Sequence, residues 1–276
     1  MLILATATAA AVLIVALGVQ AWRLRDRTRL LERRLAQASR ELESLQQAFA
    51  RFAPSEVVEA IIAQGISTRS ETKDVTVLFA DLKGFTPIAE QLDPDRLVAL
   101  LNGYFAVMGQ VIATHRGHLA KFIGDGLLAL FGALEPNPWQ TNDAVHAALA
   151  MRAALATYNE ELRSQGLPTI AAGIGIHRGP VVAGVVGNAA LMEYGVIGRT
   201  VNVASRVEGL TRVHSTDVLV TEAVRAHLDV RFRLRPLPAV EVKGLPDPLP
   251  TFAVEGFGDG APPAGSAYGF EVPSRP

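Results

Sequence analysis

Residues 119–131 read Leu-Ala-Lys-Phe-Ile-Gly-Asp-Gly-Leu-Leu-Ala-Leu-Phe, two short apolar runs parted by Gly124-Asp125-Gly126. Runs of this length suit strands, and the Gly and Asp between them tolerate the positive φ of a tight hairpin. Working outward, Val75 to Ala80 is another short β-rich run, ending on Asp81 and followed by the turn cluster Gly84-Phe85-Thr86-Pro87. Between that turn and the hairpin, Pro94 to about Arg116 carries a helical period, with Leu97, Leu101, Tyr104, Met108 and Ile112 on one face. Beyond the hairpin come an alanine-rich helix over Asn142 to Gln165 and two strands, Thr169 to Ile176 and Val181 to Val186, parted by His177-Arg178-Gly179-Pro180. A helix over Gly198 to Leu210 follows, then strands near Asp217 to Val220, Val240 to Val242 and Thr251 to Val254. Strands and helices mixed in this order predict an α+β domain, with helices on one face of a mainly antiparallel sheet.

The ends of the chain read differently. Leu2 to Trp22 holds no charged side chain, and about 21 helical residues cover the ~30 Å of a bilayer's hydrocarbon core. A cleaved signal peptide is the alternative, but a basic n-region is missing and the apolar run is long for one. Arg23, Arg25, Arg27, Arg29, Arg33 and Arg34 face only Asp26 and Glu32, which puts the following segment in the cytoplasm. Leu24, Leu31, Leu35, Ala38, Leu42, Leu45, Phe49 and Phe52 then alternate at spacings of three and four around Thr28. That seam suits a coiled coil, with a single amphipathic helix as the alternative. The expected organisation is a transmembrane helix over 1–22, a coiled-coil signalling helix over 23–53, a catalytic body over 54–256 and a disordered Gly/Pro-rich tail over 257–276.

Composition narrows the function. The 276 residues carry 26 Lys and Arg against 27 Asp and Glu, a balance that argues against a nucleic-acid partner. Without cysteine there are no disulfides, thiol nucleophiles, zinc ribbons or iron–sulfur clusters. No Walker A sequence and no Ser-His-Asp arrangement stands out, and His115 and His118 read as helix-end surface residues. The glycines of Gly173 to Gly179 have the wrong spacing for a dinucleotide loop and suit close packing inside a strand.

The residues left for chemistry are polar groups that interrupt apolar patterns. Asp81 and Asp125 each sit where a strand breaks into a glycine-containing turn. A sheet placing the first strand beside the hairpin brings both carboxylates to one edge, as Mg²⁺ requires when its other ligands are water and phosphate. Lys121 is a cation in an apolar strand, and a buried cation needs a partner or a ligand. Asn202 and Arg206 are four apart on a helix and share a face, an arrangement suited to a sugar and a phosphate. Lys243 precedes Gly244 in a strand-end turn. Singly, each is more simply a surface or turn residue; together they describe a nucleoside-triphosphate site.

In combination these motifs resemble the class III nucleotidyl cyclases, over about Phe49 to Gly256. Phe79-Ala-Asp-Leu-Lys-Gly-Phe-Thr86 and Lys121-Phe-Ile-Gly-Asp-Gly126 look like the two metal motifs. Val201-Asn-Val-Ala-Ser-Arg206 is similar to the ribose and transition-state helix, Val242-Lys-Gly244 to the triphosphate lysine, and Phe52-Ala-Pro54 to the family's entry helix. The resemblance implies a ferredoxin-like catalytic domain working as a homodimeric, membrane-anchored adenylate cyclase on ATP. It implies two divalent ions, Mg²⁺ or Mn²⁺, held by Asp81, Asp125 and the Leu82 carbonyl. It gives phosphate contacts to Gly84, Phe85 and Thr86, ribose orientation to Asn202, transition-state charge to Arg206 and outer phosphates to Lys243. Aspartates and the Asn, Arg and Lys groups would come from opposite subunits. Lys121 matches the adenine-selecting lysine, yet Gly195 stands where its Asp or Thr partner is expected. Guanylate or dual-specificity cyclase, or a catalytically silent cyclase-like module, are the alternatives. Arg178 and Arg199 also depart from the family's pattern.

Overall fold

The computed structural model describes residues 20, 34–37, 39–40, 70–187, 192–242 and 246–258. The expected transmembrane helix over 1–22 and coiled-coil stalk over 23–53 lie outside them apart from Gln20, 34–37 and 39–40, which are helical. Lys243 and the tail beyond Gly258 lie outside them too. Two compact units divide the chain at Ile66 and Ser67, and the second carries the fold described below.

In chain order the elements are β1 Glu71–Leu82, α1 Phe85–Gln91, α2 Pro94–Thr114, β2 His118–Ile123, β3 Gly126–Phe131, α3 Gln140–Ser164, β4 Ala172–Gly187, β5 Met192–Ile197, α4 Arg199–Val213, β6 Val218–Thr221, α5 Glu222–Arg225, β7 Phe232–Pro236 and β8 Thr251–Phe257. The sheet runs β2-β3-β1-β4-β6-β8-β7, with β5 paired to the far half of β4. Every strand pair is antiparallel except β4 with β6. The fold is therefore α+β on a mixed, mainly antiparallel sheet, and the hairpin that opened the sequence reading is β2–β3, closed by Gly124 at φ +62°.

Helices cover both faces of the sheet, where the sequence suggested one. On one face Leu78, Ala80, Leu82, Phe131, Ile176 and Val220 meet Tyr104, Met108 and Ile112 of α2 and Met151 of α3. On the other, Ala204 of α4 joins Val75, Val77, Leu128 and Val181, while Val203, Val207 and Leu210 of α4 close on Leu219 and Ala253. The cause is a row of glycines on β4. A Cβ at Gly175 would lie 2.1 Å from the Glu208 backbone nitrogen, and one at Gly173 would run into Thr211 Oγ1. Gly173 and Gly175 are bare because α4 lies directly on the strand; the glycine run is strand interior, as its spacing suggested.

Four more local expectations change. The two strands on either side of His177–Pro180 are one strand, β4, paired along β1 from Ala172 to Ala183. Their apparent break marks a change of partner on the other edge, where β6 pairs with residues 174–176 and β5 begins at Val182. Pro180 falls in that gap, so its missing N–H leaves no ladder bond unmade. The Gly84–Pro87 turn opens helix α1: Gly84 takes the left-handed conformation at φ +63°, and Pro87 sits in the first turn, where proline is tolerated. Val240 to Val242 contributes one isolated bridge, Val240 to Leu249, in place of a strand. Strands β5 and β7 were not anticipated.

Among the described residues α2 is long and apolar enough to cross a membrane, at mean hydropathy 1.6. It lies against α3 with Leu100, Tyr104, Met108 and Ile112 in the core, so its apolar face is already used inside the domain.

Candidate functional site

Asp81 closes β1 and Asp125 closes the β2–β3 turn. Because Ala80 pairs with Leu127, the two aspartates meet at one sheet edge. A Cβ at Gly126 would lie 2.9 Å from Asp81 Oδ1 and 3.0 Å from the Ala80 carbonyl, so Gly126 is the residue that admits the Asp81 side chain to this edge. Burial lifts the Asp125 carboxyl above the usual carboxylate range, and the Asp81 charge adds to that lift. A carboxylate crowded by burial and by a second carboxylate is suited to a cation.

A cation already stands there. Arg212 of α4 donates from Nη2 to Asp81 Oδ2 at 2.5 Å and to the Leu82 carbonyl at 3.3 Å. Its Nη1 reaches Glu208 Oε1 at 3.1 Å, one helical turn back. Glu208 is buried, which pushes its carboxyl up to about 7 against the pull of Arg212. Beneath, the Tyr104 hydroxyl is fully buried, lacks a hydrogen-bond partner among the described residues, and feels the charges of Asp81, Asp125 and Glu208, so its proton is held far above the ordinary phenol range. The oxygens of Asp81, Asp125 and Leu82 form a hard donor set, and a positive group rests on two of them. That set fits a divalent ion of the Mg²⁺ type. No group of three or more His, Cys, Asp or Glu side chains gathers among the described residues, so the ion would complete its shell with water and phosphate.

The phosphate-facing candidates follow directly. Gly84 is the N-cap of α1 and no side chain caps it, which leaves the first-turn amides around Phe85 and Thr86 open. Phe85 itself is buried in the core and Thr86 is exposed. Lys83, between them and the aspartates, is tied to Asp217 at 2.8 Å and the Thr216 carbonyl at 2.9 Å.

The base- and ribose-facing candidates lie elsewhere. Lys121 stands opposite Leu128 and so projects from the α4 side of the sheet. Gly195, on β5, pairs with Gly184 of β4, and a Cβ at Gly195 would meet nothing within 4 Å. Asn202 is exposed on α4, and no hydrogen bond or ion pair among the described residues engages it or Arg206. At about 100° of turn per residue, Arg206 points about 160° away from Glu208, and at ~1.5 Å of rise Asn202 stands about 15 Å along the axis from Arg212. One face of α4 therefore addresses the aspartates of its own chain, and another carries exposed Asn202 and half-buried Arg206. The structure brings Asp81, Leu82, Asp125 and Gly84–Thr86 together and leaves Asn202 and Arg206 apart from them.

Two residues at the aspartate edge escape sequence reading, Glu208 and Arg212. As a Glu–Arg pair four apart they look like an ordinary helix-surface ion pair. The two unusual arginines differ in use. Arg178 is held by Asp74 at 2.7 Å and by Thr141, joining β4, β1 and α3, whereas Arg199 is exposed at the start of α4.

The sequence over residues 68–256 matches the family described as adenylate and guanylate cyclase catalytic domain. An adenylate cyclase of Anabaena cylindrica is 38% identical over 226 residues, covering 78% of this chain and 44% of that protein, so the chain spans less than half of that relative's length. Among solved structures, the guanylyl cyclase Cya2 superposes with a TM-score of 0.65 at 33% identity, over 69% of this chain and 96% of that one. The adenylyl cyclase CyaB from P. aeruginosa does so at 0.64 and 28% identity, over 67% and 95%.

Proposed function

The chain belongs to the adenylate and guanylate cyclase family, and from that premise we propose that it is an adenylate cyclase converting ATP to 3′,5′-cyclic AMP and pyrophosphate. It works as a homodimer, anchored by a single span over 1–22 with its catalytic body in the cytoplasm. The observation that carries the reading is the division of α4: Arg212 and Glu208 face their own chain's aspartates, while exposed Asn202 and half-buried Arg206 lie on another face. On this reading one chain carries two halves of a site on different faces, and a second copy supplies the missing half to each.

Asp81, Asp125 and the Leu82 carbonyl would hold Mg²⁺ or Mn²⁺. When bound, two such ions supply the positive charge that makes the ribose 3′-hydroxyl acidic and neutralises the leaving pyrophosphate. The open amides of Gly84 to Thr86 take phosphate oxygens. Asn202 of the partner subunit fixes the ribose, and Arg206 of the partner subunit meets charge developing on the α-phosphoryl group as the 3′-oxygen bonds to phosphorus and the bridge to the β-phosphate breaks. Lys243 grips the outer phosphates, and Lys121 donates to the adenine ring.

A second reading, a guanylate or dual-specificity cyclase, draws on Gly195, which stands where the resemblance expects Asp or Thr, and on the likeness to a guanylyl cyclase structure. Incubating the full chain with ATP or GTP, and with Mg²⁺ or Mn²⁺, decides between them by the cyclic nucleotide formed. Cyclic AMP well above cyclic GMP is expected. Comparable cyclic GMP moves the protein to the second reading, and no product from a folded dimer moves it to a silent module.

A further inference from the structure

Arg212 occupies the oxygens that a metal ion needs. Its Nη2 bonds Asp81 Oδ2 and the Leu82 carbonyl together, and Nη1 keeps a second hold on Glu208 at 3.1 Å and 3.3 Å. The guanidinium takes lone pairs on both Asp81 Oδ2 and the Leu82 carbonyl that the ion would use, and its charge opposes that of a divalent ion a few ångström away. The nearby Lys83 cannot take this place, being committed to Asp217 and Thr216. Nor is Arg212 a passive surface pair. Its side chain is 42% exposed, but its second acceptor, Glu208, is only 8% exposed and would be an unpaired buried carboxylate without it. The arginine thus has two carboxylate berths, one at the metal edge and one on its own helix.

We propose that Arg212 is an internal cation that competes with the metal ion for Asp81 and the Leu82 carbonyl, and that metal entry moves its guanidinium wholly onto Glu208. The inference rests on the metal assignment made above for Asp81, Leu82 and Asp125. The latch keeps the aspartate edge neutralised and α4 fastened to the end of β1 until an ion arrives, and it sets the apparent metal affinity. If the latch is closed about nine-tenths of the time, the apparent affinity is about tenfold weaker than the intrinsic one.

The test measures Mn²⁺ binding to the full chain, first stripped with a chelator and without nucleotide, from the electron-spin-resonance signal of the free ion. Thermal unfolding with and without Mn²⁺ is recorded alongside. Arg212→Gln should tighten Mn²⁺ binding about tenfold, lower the melting temperature of the stripped protein and enlarge the stabilisation Mn²⁺ gives. Asp81→Asn should abolish high-affinity binding. Unchanged or weaker Mn²⁺ binding by folded Arg212→Gln, with Asp81-dependent binding intact in the parent chain, overturns the latch alone. Binding indifferent to Asp81→Asn overturns the latch together with the metal assignment beneath it. Should Arg212→Gln fail to fold, Arg212→Lys keeps the charge but loses the forked grip, and must tighten binding by a smaller factor; an unchanged affinity there refutes the proposal.

Discussion

A Cβ added at Gly195 meets no atom within 4 Å, so this position accepts a side chain without rearranging β4 or β5. If Lys121 reads the adenine ring, the hydrogen bond lost at Gly195 is of order 1 kcal/mol. Gly195→Thr should therefore raise the ratio of cyclic AMP to cyclic GMP by about fivefold, with little change in melting temperature. Parallel assays with ATP and GTP check it, and an unaltered ratio means the base is read by other groups. At this scale much of the candidate site was legible. Asp81, Asp125, Lys121, Asn202 and Arg206 are each a polar group set into an apolar pattern, and a pattern broken at a turn or on a core helix is visible in one dimension. Arg212 was not, because nothing along the chain says that its helix will lie close enough to β1 to touch Asp81. That closeness comes from glycines thirty-odd residues away in sequence, on β4.

The glycine row makes β4 the element on which the site's geometry depends. Gly175→Ala would push a methyl group into the α4 backbone at Glu208, and overpacking of this kind costs about 1–3 kcal/mol. A lowered melting temperature is expected, along with tighter Mn²⁺ binding at the aspartate edge as Arg212 moves off; full stability would mean that α4 can lift away freely. His177 lies on the same face of β4, its Nδ1 2.8 Å from Thr221 Oγ1. Burial, with the Arg199 charge behind it, lowers its ring from 6.5 to about 4. The folded chain then binds fewer protons there than the unfolded chain. Its contribution is complete above about pH 6.5 and lost as the pH falls towards 4. His177→Gln should flatten the fall in melting temperature across that window, and a profile identical to the parent's would remove His177 as its cause. Elements whose signal is local were legible: the β2–β3 hairpin, α2, α3 and α4 stand within a few residues of their expected bounds. Where pairing decides, the sequence was mute. Gly179-Pro180 looks like a chain break and is only a change of neighbours, while β7, with Arg233 and Arg235 alternating along an edge strand, is too short and charged to announce itself.

For the whole molecule the question is whether one chain is an enzyme. α4 gives its inner face to Asp81 through Arg212 and Glu208, and turns Arg206 about 160° away from Glu208. If a nucleotide's phosphates lie at Asp81 and Asp125, the Arg206 of the same chain is turned away from them. A two-fold dimer repairs this twice over, because an isologous interface that brings Arg206 to one aspartate edge brings its mate to the other. Asp81→Ala chains and Arg206→Ala chains should each be inactive alone while remaining folded, Arg206 having no hydrogen bond or ion pair to lose among the described residues. Mixed in equal amounts and allowed to exchange, half of the dimers pair one chain of each kind. Each such dimer holds one site with both defects and one site with neither. The mixture should then recover about a quarter of the parent activity per chain, as random two-fold pairing requires. A mixture that stays inactive while heterodimers form would place both halves of the site in one chain, and would require α4 to turn around on its bed of glycines.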